Sequence, residues 1–146
     1  MPKIKLDIVT AEHLVLSEDV DFVSAPGVDG ILGILPRHAP LVTALNFGEL
    51  RYKKDGDEFT FAIGGGFMEV RPDKVTVLAD SAEHADEIDE TRAEQARERA
   101  RQLLLEKPHA DVEFVRIERS LRRAELRLRV AKRKRGSTRT MDTGEN

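Results

Sequence analysis

KVTVLADSAEHADEIDETRAEQARERARQLL, residues 74–104, contains the change of pattern that decides the fold. Its first part alternates. Val75 and Val77 share one side of an extended chain, and Lys74, Thr76 and Leu78 take the other. Its later part repeats every three to four residues, so Ala93, Ala96, Ala100 and Leu103 fall on one side of a helix. The switch lies near Asp80. Asp89 and Thr91 suit a helix start, and acids crowd the first turns, where they favour the positive end of the helix dipole.

Upstream of the switch, period two recurs. KIKLDIV (3–9) places Ile4, Leu6 and Ile8 on one face, and DEFTFAI (57–63) alternates in the same way. Turn formers separate the runs: APGVDG (25–30), KKDGDE (53–58) and RPDK (71–74). KDGDE is a hairpin signal, because Asp-Gly tolerates the positive φ such turns need. Short strands at close spacing predict an antiparallel β-sandwich or barrel. PGVDGILGILPRHAPLVTAL (26–45) is harder to place. Gly27, Gly30 and Gly33 break its periodicity, and Pro36 and Pro40 forbid regular pairing in a central strand. Its aliphatic residues are nevertheless too many for a free loop. The stretch reads as short, bent strands with a tip that leaves the sandwich, Ile31 facing outward; an exposed apolar tip marks a protein contact.

Downstream, Pro108 ends the first helical run. A second run follows in Phe114, Ile117, Leu121, Ala124, Leu128 and Ala131. The expected unit is an αα-hairpin with its turn in KPHAD (107–111). The class is therefore α+β: a sandwich over 1–84, a helical hairpin over 85–135 and a disordered tail over 136–146. Charge is uneven along the hairpin. Asp80 to Glu98 holds eight acids and two bases, and Arg116 to Arg135 holds ten bases and two acids.

The totals exclude several functions. Net charge over the 146 residues is −3, which gives no bulk attraction to nucleic acid or membrane. Aromatics are 5%, with no Trp, so the core is aliphatic. Cys is absent, which removes disulfides, thiolate metal sites and a thiol nucleophile. No metal site is expected, since no second His or carboxylate stands at ligand spacing from His38. The four His residues (13, 38, 84, 109) lie in separate elements, which argues against an enzyme. No signal peptide, transit peptide or transmembrane run is visible, so no direct membrane insertion is expected. The alternative is a non-enzymatic nucleic-acid binder using the basic arm RLRVAKRKRG (127–136), but the chain is net acidic and nearly lacks aromatics to stack on bases.

GILGILPRHAPLVTAL (30–45), GGGFMEVRPDKVTVLAD (64–80) and IDETRA (88–93), in this order and spacing, resemble the epsilon subunit family of the bacterial F-type rotary ATP synthase. The resemblance runs from about Ile4 to about Lys132. It implies a non-catalytic subunit of the central stalk at the cytoplasmic face of the plasma membrane. The sandwich would bind the gamma subunit and rest on the c-subunit ring through Val28, Asp29, Gly30, Ile31, Leu32 and Gly33, with His38 near. Many relatives carry a carboxylate where Ile31 stands. The helices would lie folded, or extend into the alpha/beta catalytic head and block ATP hydrolysis. Arg116, Arg122, Arg123, Arg127, Arg129, Arg133 and Lys134 would then meet acidic segments there.

Ile88, Asp89, Arg92 and Ala93 also match the motif of family members that bind ATP, and Glu83 matches a further binding position. Arg92 and Arg99 share one helical face, as do Arg123 and Arg127. A turn near His109 sets Arg92 opposite Arg127, and Arg99 near Arg119 or Arg123. Arg forks suit phosphate oxygens, Ile88 and Ala93 would flank the adenine, and Asp89 would accept from its amino group or from a positioning Arg. The other reading pairs these arginines with Glu90, Glu94, Glu98 and Glu125 across the hairpin. No Walker motif is present, so hydrolysis is not expected. ATP enters as a regulatory ligand, with or without Mg²⁺, and no cofactor is required.

Overall fold

The computed structural model describes residues 2–106 and 112–143, with residues 134–143 as backbone only. The chain divides into two compact units, Met1–His84 and Ala85–Asn146.

The first unit contains eight strands: β1 (Ile4–Val9), β2 (Leu14–Val20), β3 (Phe22–Gly27), β4 (Gly30–Ile34), β5 (Leu41–Lys54), β6 (Asp57–Val70), β7 (Lys74–Ala79) and β8 (Ala82–His84). They form one continuous ladder in the order β2-β1-β7-β6-β5-β3-β4, with β8 on β6. The ladder folds on itself into two layers because β5 and β6 belong to both. The end of β6 pairs with β7 at Gly66–Val70, while its earlier part pairs with β8 at Phe61–Ile63. One layer is thus β2-β1-β7 with the start of β5 and the end of β6. The other is β4-β3 with the rest of β5 and β6, plus β8. Ile4, Leu6, Ile8, Val75, Val77 and Met68 from the first meet Val23, Ile34, Leu50 and Ile63 from the second, all fully buried.

Two features depart from the expected antiparallel set of short strands. β1 and β7 pair in parallel, from Lys5↔Lys74 to Val9↔Leu78. The strands are about seventy residues apart in sequence, so no hairpin constrains their direction. Also, β5 and β6 are 14 residues each. Gly64–Gly66 lies within β6 and bends it without ending it. Gly65 and Gly66 take φ of 98° and 128°, which a residue with a Cβ rarely adopts. The expected Asp-Gly hairpin is present: Asp55 and Gly56, at φ 52° and 88°, form the two-residue turn between β5 and β6. Pro26 falls where the β3–β5 register shifts between Ser24 and Gly27, consistent with its missing N–H.

The second unit begins with a 3-10 turn (Ala85–Glu87), followed by α1 (Glu90–Glu106) and α2 (Val112–Thr143). Asp89 is the N-cap of α1. Its Oδ1 accepts the Arg92 N–H at 3.1 Å, and its carbonyl accepts the Ala93 N–H at 3.0 Å. The helices pack along the expected seam, with Ala93 and Ala100 of α1 and Ala124 and Leu128 of α2 buried. Leu126 and Val130 are buried as well, about 200° from that seam on α2. α2 continues to Thr143, beyond the boundary expected at Arg135 and into the stretch read as a disordered tail. Gly136 costs about 1 kcal/mol relative to Ala, too little to stop a helix already propagating. The expected turn at 107–111, including Pro108 and His109, and the Lys134 side chain lie outside the described residues.

Candidate functional site

The α1–α2 seam opens on one side into a groove of about 290 Å³. Small residues make the opening: Ala96 and Ala100 on α1 and Ala124 on α2 line it. Arg99, Arg123 and Arg127 line it too, with Leu103, Ile117 and Ser120. Arg123 and Arg127 are one turn apart on α2, and Arg99 comes from α1, so both helices supply guanidinium groups to one small space. Arg99 and Arg123 form no ion pair among the described residues. The ion pairs seen for Glu94 and Glu98 are within α1, to Arg97 and Arg101. Like charges converging on a groove weaken its closure by a few tenths of a kcal/mol per exposed pair, and a polyanion reverses the sign.

The structure gathers only part of the expected nucleotide set. Arg99, Arg123 and Arg127 meet at the groove, but Arg92 is not among its lining residues. Ala93 is 0% exposed, so it packs in the seam and presents no surface to an adenine. Asp89 uses Oδ1 as the helix cap. Ile88 sits just before it, half-buried, with its N–H directed at the Ala85 carbonyl. Glu83 lies on β8 in the first unit. Ser120 was missed. Its hydroxyl donates to the Arg116 carbonyl at 3.1 Å, and it lines the groove one turn before Arg123. Its spacing of three and seven from Arg123 and Arg127 is the signal that would have found it.

The remaining basic residues of α2 split by geometry. Arg116, Arg123 and Arg127 share the groove side. Arg122, Arg129 and Arg133, spaced seven and four, form a separate exposed stripe.

On the first unit, register gathers apolar residues that the sequence scatters. Ala44 pairs with Phe67, Phe67 with Leu78, Leu78 with Val9 and Val9 with Leu14. This row crosses five strands on the outer face of one layer. Leu14, Phe67 and Leu78 remain 55–59% exposed along it. The next row is polar: Glu69, Thr76, Asp7 and Ser17, with Val42 at its end. The Asp7 carboxyl is held below the usual carboxylate range, first by the Ser17 hydroxyl at 2.7 Å and then by the Lys74 ammonium at 3.1 Å. The outer face is therefore graded from apolar to charged along the strands.

The β3–β4 hairpin carries the tip expected from 26–45. Val28 and Asp29 form its turn, and Val28, Gly30 and Ile31 are exposed, Ile31 at 79%. Leu32 turns the other way and packs partly against the core. His38 lies in the loop after β4, at the opposite end of that strand from the turn. Its Nδ1 bonds the Ala39 carbonyl at 2.7 Å. Among the described residues no group of acids and His is placed to hold a metal, and no helix is long and apolar enough to cross a membrane.

A two-layer β unit followed by a charged helical pair defines a class of small, two-part subunits. Family models agree on both parts: the ATP synthase delta/epsilon chain beta-sandwich domain matches residues 3–85, and its long alpha-helix domain matches 86–132. The chain is 59% identical to the ATP synthase epsilon chain of Herpetosiphon aurantiacus over 132 residues, covering 90% of this chain and 96% of that one. It is 53% identical to the epsilon chain of Dehalococcoides mccartyi over 135 residues, covering 92% and 96%. A chain in the Euglena gracilis mitochondrial ATP synthase structure (OSCP/F1/c-ring) superposes with a TM-score of 0.71 at 25% identity, over 86% of this chain and 79% of that one. A chain of the Tetrahymena thermophila mitochondrial enzyme (central stalk/c-ring) shares the fold, with a TM-score of 0.53 at 15% identity over 90% and 96%. The chain belongs to the delta/epsilon family of F-type ATP synthase subunits, and within it to the bacterial epsilon chains.

Proposed function

We propose that this chain is a non-catalytic rotor subunit that joins the catalytic head of an ATP synthase to its c ring, at the cytoplasmic face of the bacterial membrane. The Euglena and Tetrahymena structures, from F1/c-ring and central-stalk assemblies, support the assignment. The apolar row across five strands suits the gamma subunit: three of its side chains are more than half exposed, and the charged residues beside it would fix its orientation. The Val28–Ile31 tip suits the c ring. With Ile31 where many relatives carry a carboxylate, the contact there is apolar.

The helical pair is the regulatory part. ATP binds the folded pair at the arginine groove and stabilises it by mass action. At a concentration a hundredfold above Kd this is worth about 2.7 kcal/mol, enough to move a balanced switch almost wholly to one side. When ATP falls, the pair opens and extends, and the Arg122–Arg129–Arg133 stripe meets acidic segments of the alpha/beta head and inhibits hydrolysis. The observation that carries this reading is the convergence of Arg99, Arg123 and Arg127 on one groove.

Calorimetric titration of the isolated chain with ATP and ADP tests it. Arg99→Ala and Arg127→Ala should each weaken ATP binding by about tenfold or more, the worth of a charge-assisted hydrogen bond. Undiminished affinity in the double variant, or no binding by the unmodified chain, refutes the regulatory site.

A further inference from the structure

β8 is the last strand before the helical unit, and it is the shortest strand of the sheet. It has three residues, and its ladder among the described residues is with β6 alone: Phe61↔His84, Ala62↔Glu83 and Ile63↔Ala82. None of the three is buried, whereas Phe61, Ala62 and Ile63 beneath them all are. Those β6 residues also pair with β5, at Leu50, Glu49 and Gly48. Losing β8 therefore leaves β6 held on its other side and the core ladder intact.

Ring and backbone contacts seat the strand, among them an edge-on approach of His84 to Phe59 and a hydrogen bond from the Asp80 N–H to the Gly65 carbonyl at 3.0 Å. The His84 ring meets Phe61 edge-on, with centroids 5.0 Å apart, beside the stacked Tyr52 and Phe59. Just before β8, the Gly64 N–H donates to the Ser81 carbonyl at 2.9 Å, and the Ser81 side chain occupies the space a Cβ on Gly64 would need. A Cβ at Gly64 would stand 2.1 Å from Ser81 Oγ but 3.4 Å from Ser81 Cβ.

We propose that β8 is a detachable latch, which opens without unfolding the sandwich and sets the length of free chain before α1. Closed, the link from His84 to the Asp89 cap is five residues, at most about 17 Å; open, it begins after Ala79 and reaches about 33 Å. Extension of the helices toward a partner draws on that added length. This consequence rests on the switching role proposed above, but the opening of the strand does not.

Amide hydrogen exchange on the isolated full chain without nucleotide tests the latch apart from any switching. Residues 82–84 should exchange at least about a hundredfold faster than the β5–β6 ladder at Leu50–Tyr52 and Phe59–Phe61, as expected of a local opening. Gly64→Ala should force the Ser81 hydroxyl out of its rotamer and speed exchange in β8 about threefold further, leaving the ladder unchanged. Gly64→Ala with Ser81→Ala should restore the original rate, because the Cβ–Cβ approach is an ordinary contact. His84→Ala should speed β8 in the same selective way, through loss of the ring contact. Equal protection of β8 and the ladder overturns the proposal, as does a Gly64→Ala effect that spreads equally over both.

Discussion

Gly66→Ala should unfold the β-sandwich or come close to it, and the cost can be assembled from the structure. Gly66 holds φ at 128°, where a side chain costs on the order of 1–3 kcal/mol. Its Cβ would also stand 2.1 Å from the Leu78 carbonyl oxygen and 2.9 Å from the Ala79 Cα. Both obstacles are backbone, so no side chain can rotate out of the way. β6 and β7 would have to separate at the Gly66↔Ala79 pair, losing a ladder bond and exposing part of the Met68–Val77 core. The sum exceeds about 4 kcal/mol, which is exceptional for one methyl group. Gly56→Ala is the control: φ is 88°, but nothing lies within 4 Å of the added Cβ. Its cost is conformational alone, about 1 kcal/mol. For a unit of this size 1 kcal/mol moves Tm by roughly 4–8 °C, so the two variants should differ by more than about 12 °C. Tyr52, the one tyrosine, is 4% exposed and stacked on Phe59, and there is no Trp. Tyrosine fluorescence during thermal melting therefore reports on the sandwich without interference from the helices. A Gly66→Ala melt within a few degrees of Gly56→Ala would show that the β6–β7 corner is not closed as described.

Asp89→Ala should cost the helical unit about 1 kcal/mol through the lost cap, seen as an earlier loss of far-UV helical signal without nucleotide, and Asp89→Asn should retain most of it. Asp7 has a folded pKa below its ordinary 3.8, so its contribution is complete above that value and is lost as pH falls through the folded value. Asp7→Asn should accordingly show a smaller drop in urea midpoint between about pH 5 and pH 2.5 than the unmodified chain. Phe67→Glu with Leu78→Glu adds charge to exposed positions, so the melt of the isolated chain should shift by no more than a few degrees. Capture by gamma subunit in a pull-down should fall at least about tenfold, and unchanged capture would remove the apolar row as the docking face.

The parts legible in the sequence are those written in local spacing. The switch near Asp80, the Asp55–Gly56 turn and the Ala93–Ala100 seam each depend on residues within one or two turns of each other. The parts not legible depend on register between distant segments. Val9, Leu14, Phe67 and Leu78 sit on four strands, and alternation gives each a side but not a row. The parallel β1–β7 pair and the shared β5 and β6 strands escaped for the same reason. At the groove, helical spacing counted from a turn near His109 sets Arg99 near Arg119 or Arg123, and of these two Arg123 shares the groove with it. The same spacing also draws in Arg92, which is not among the lining residues, and leaves out Ser120, whose hydroxyl is turned to its own helix.

The sharing of β5 and β6 between the two layers has a mechanical consequence. In a sandwich of separate sheets, a sideways push on one sheet reaches the other only through interleaved side chains, which can slip past one another. Here two unbroken lengths of polypeptide, hydrogen-bonded from Leu41↔Val70 to Lys54↔Asp57, run from one sheet into the other. A shearing load between the faces is borne by covalent backbone and a long antiparallel ladder, so this domain should twist as one stiff body when turned by one neighbour against the drag of another.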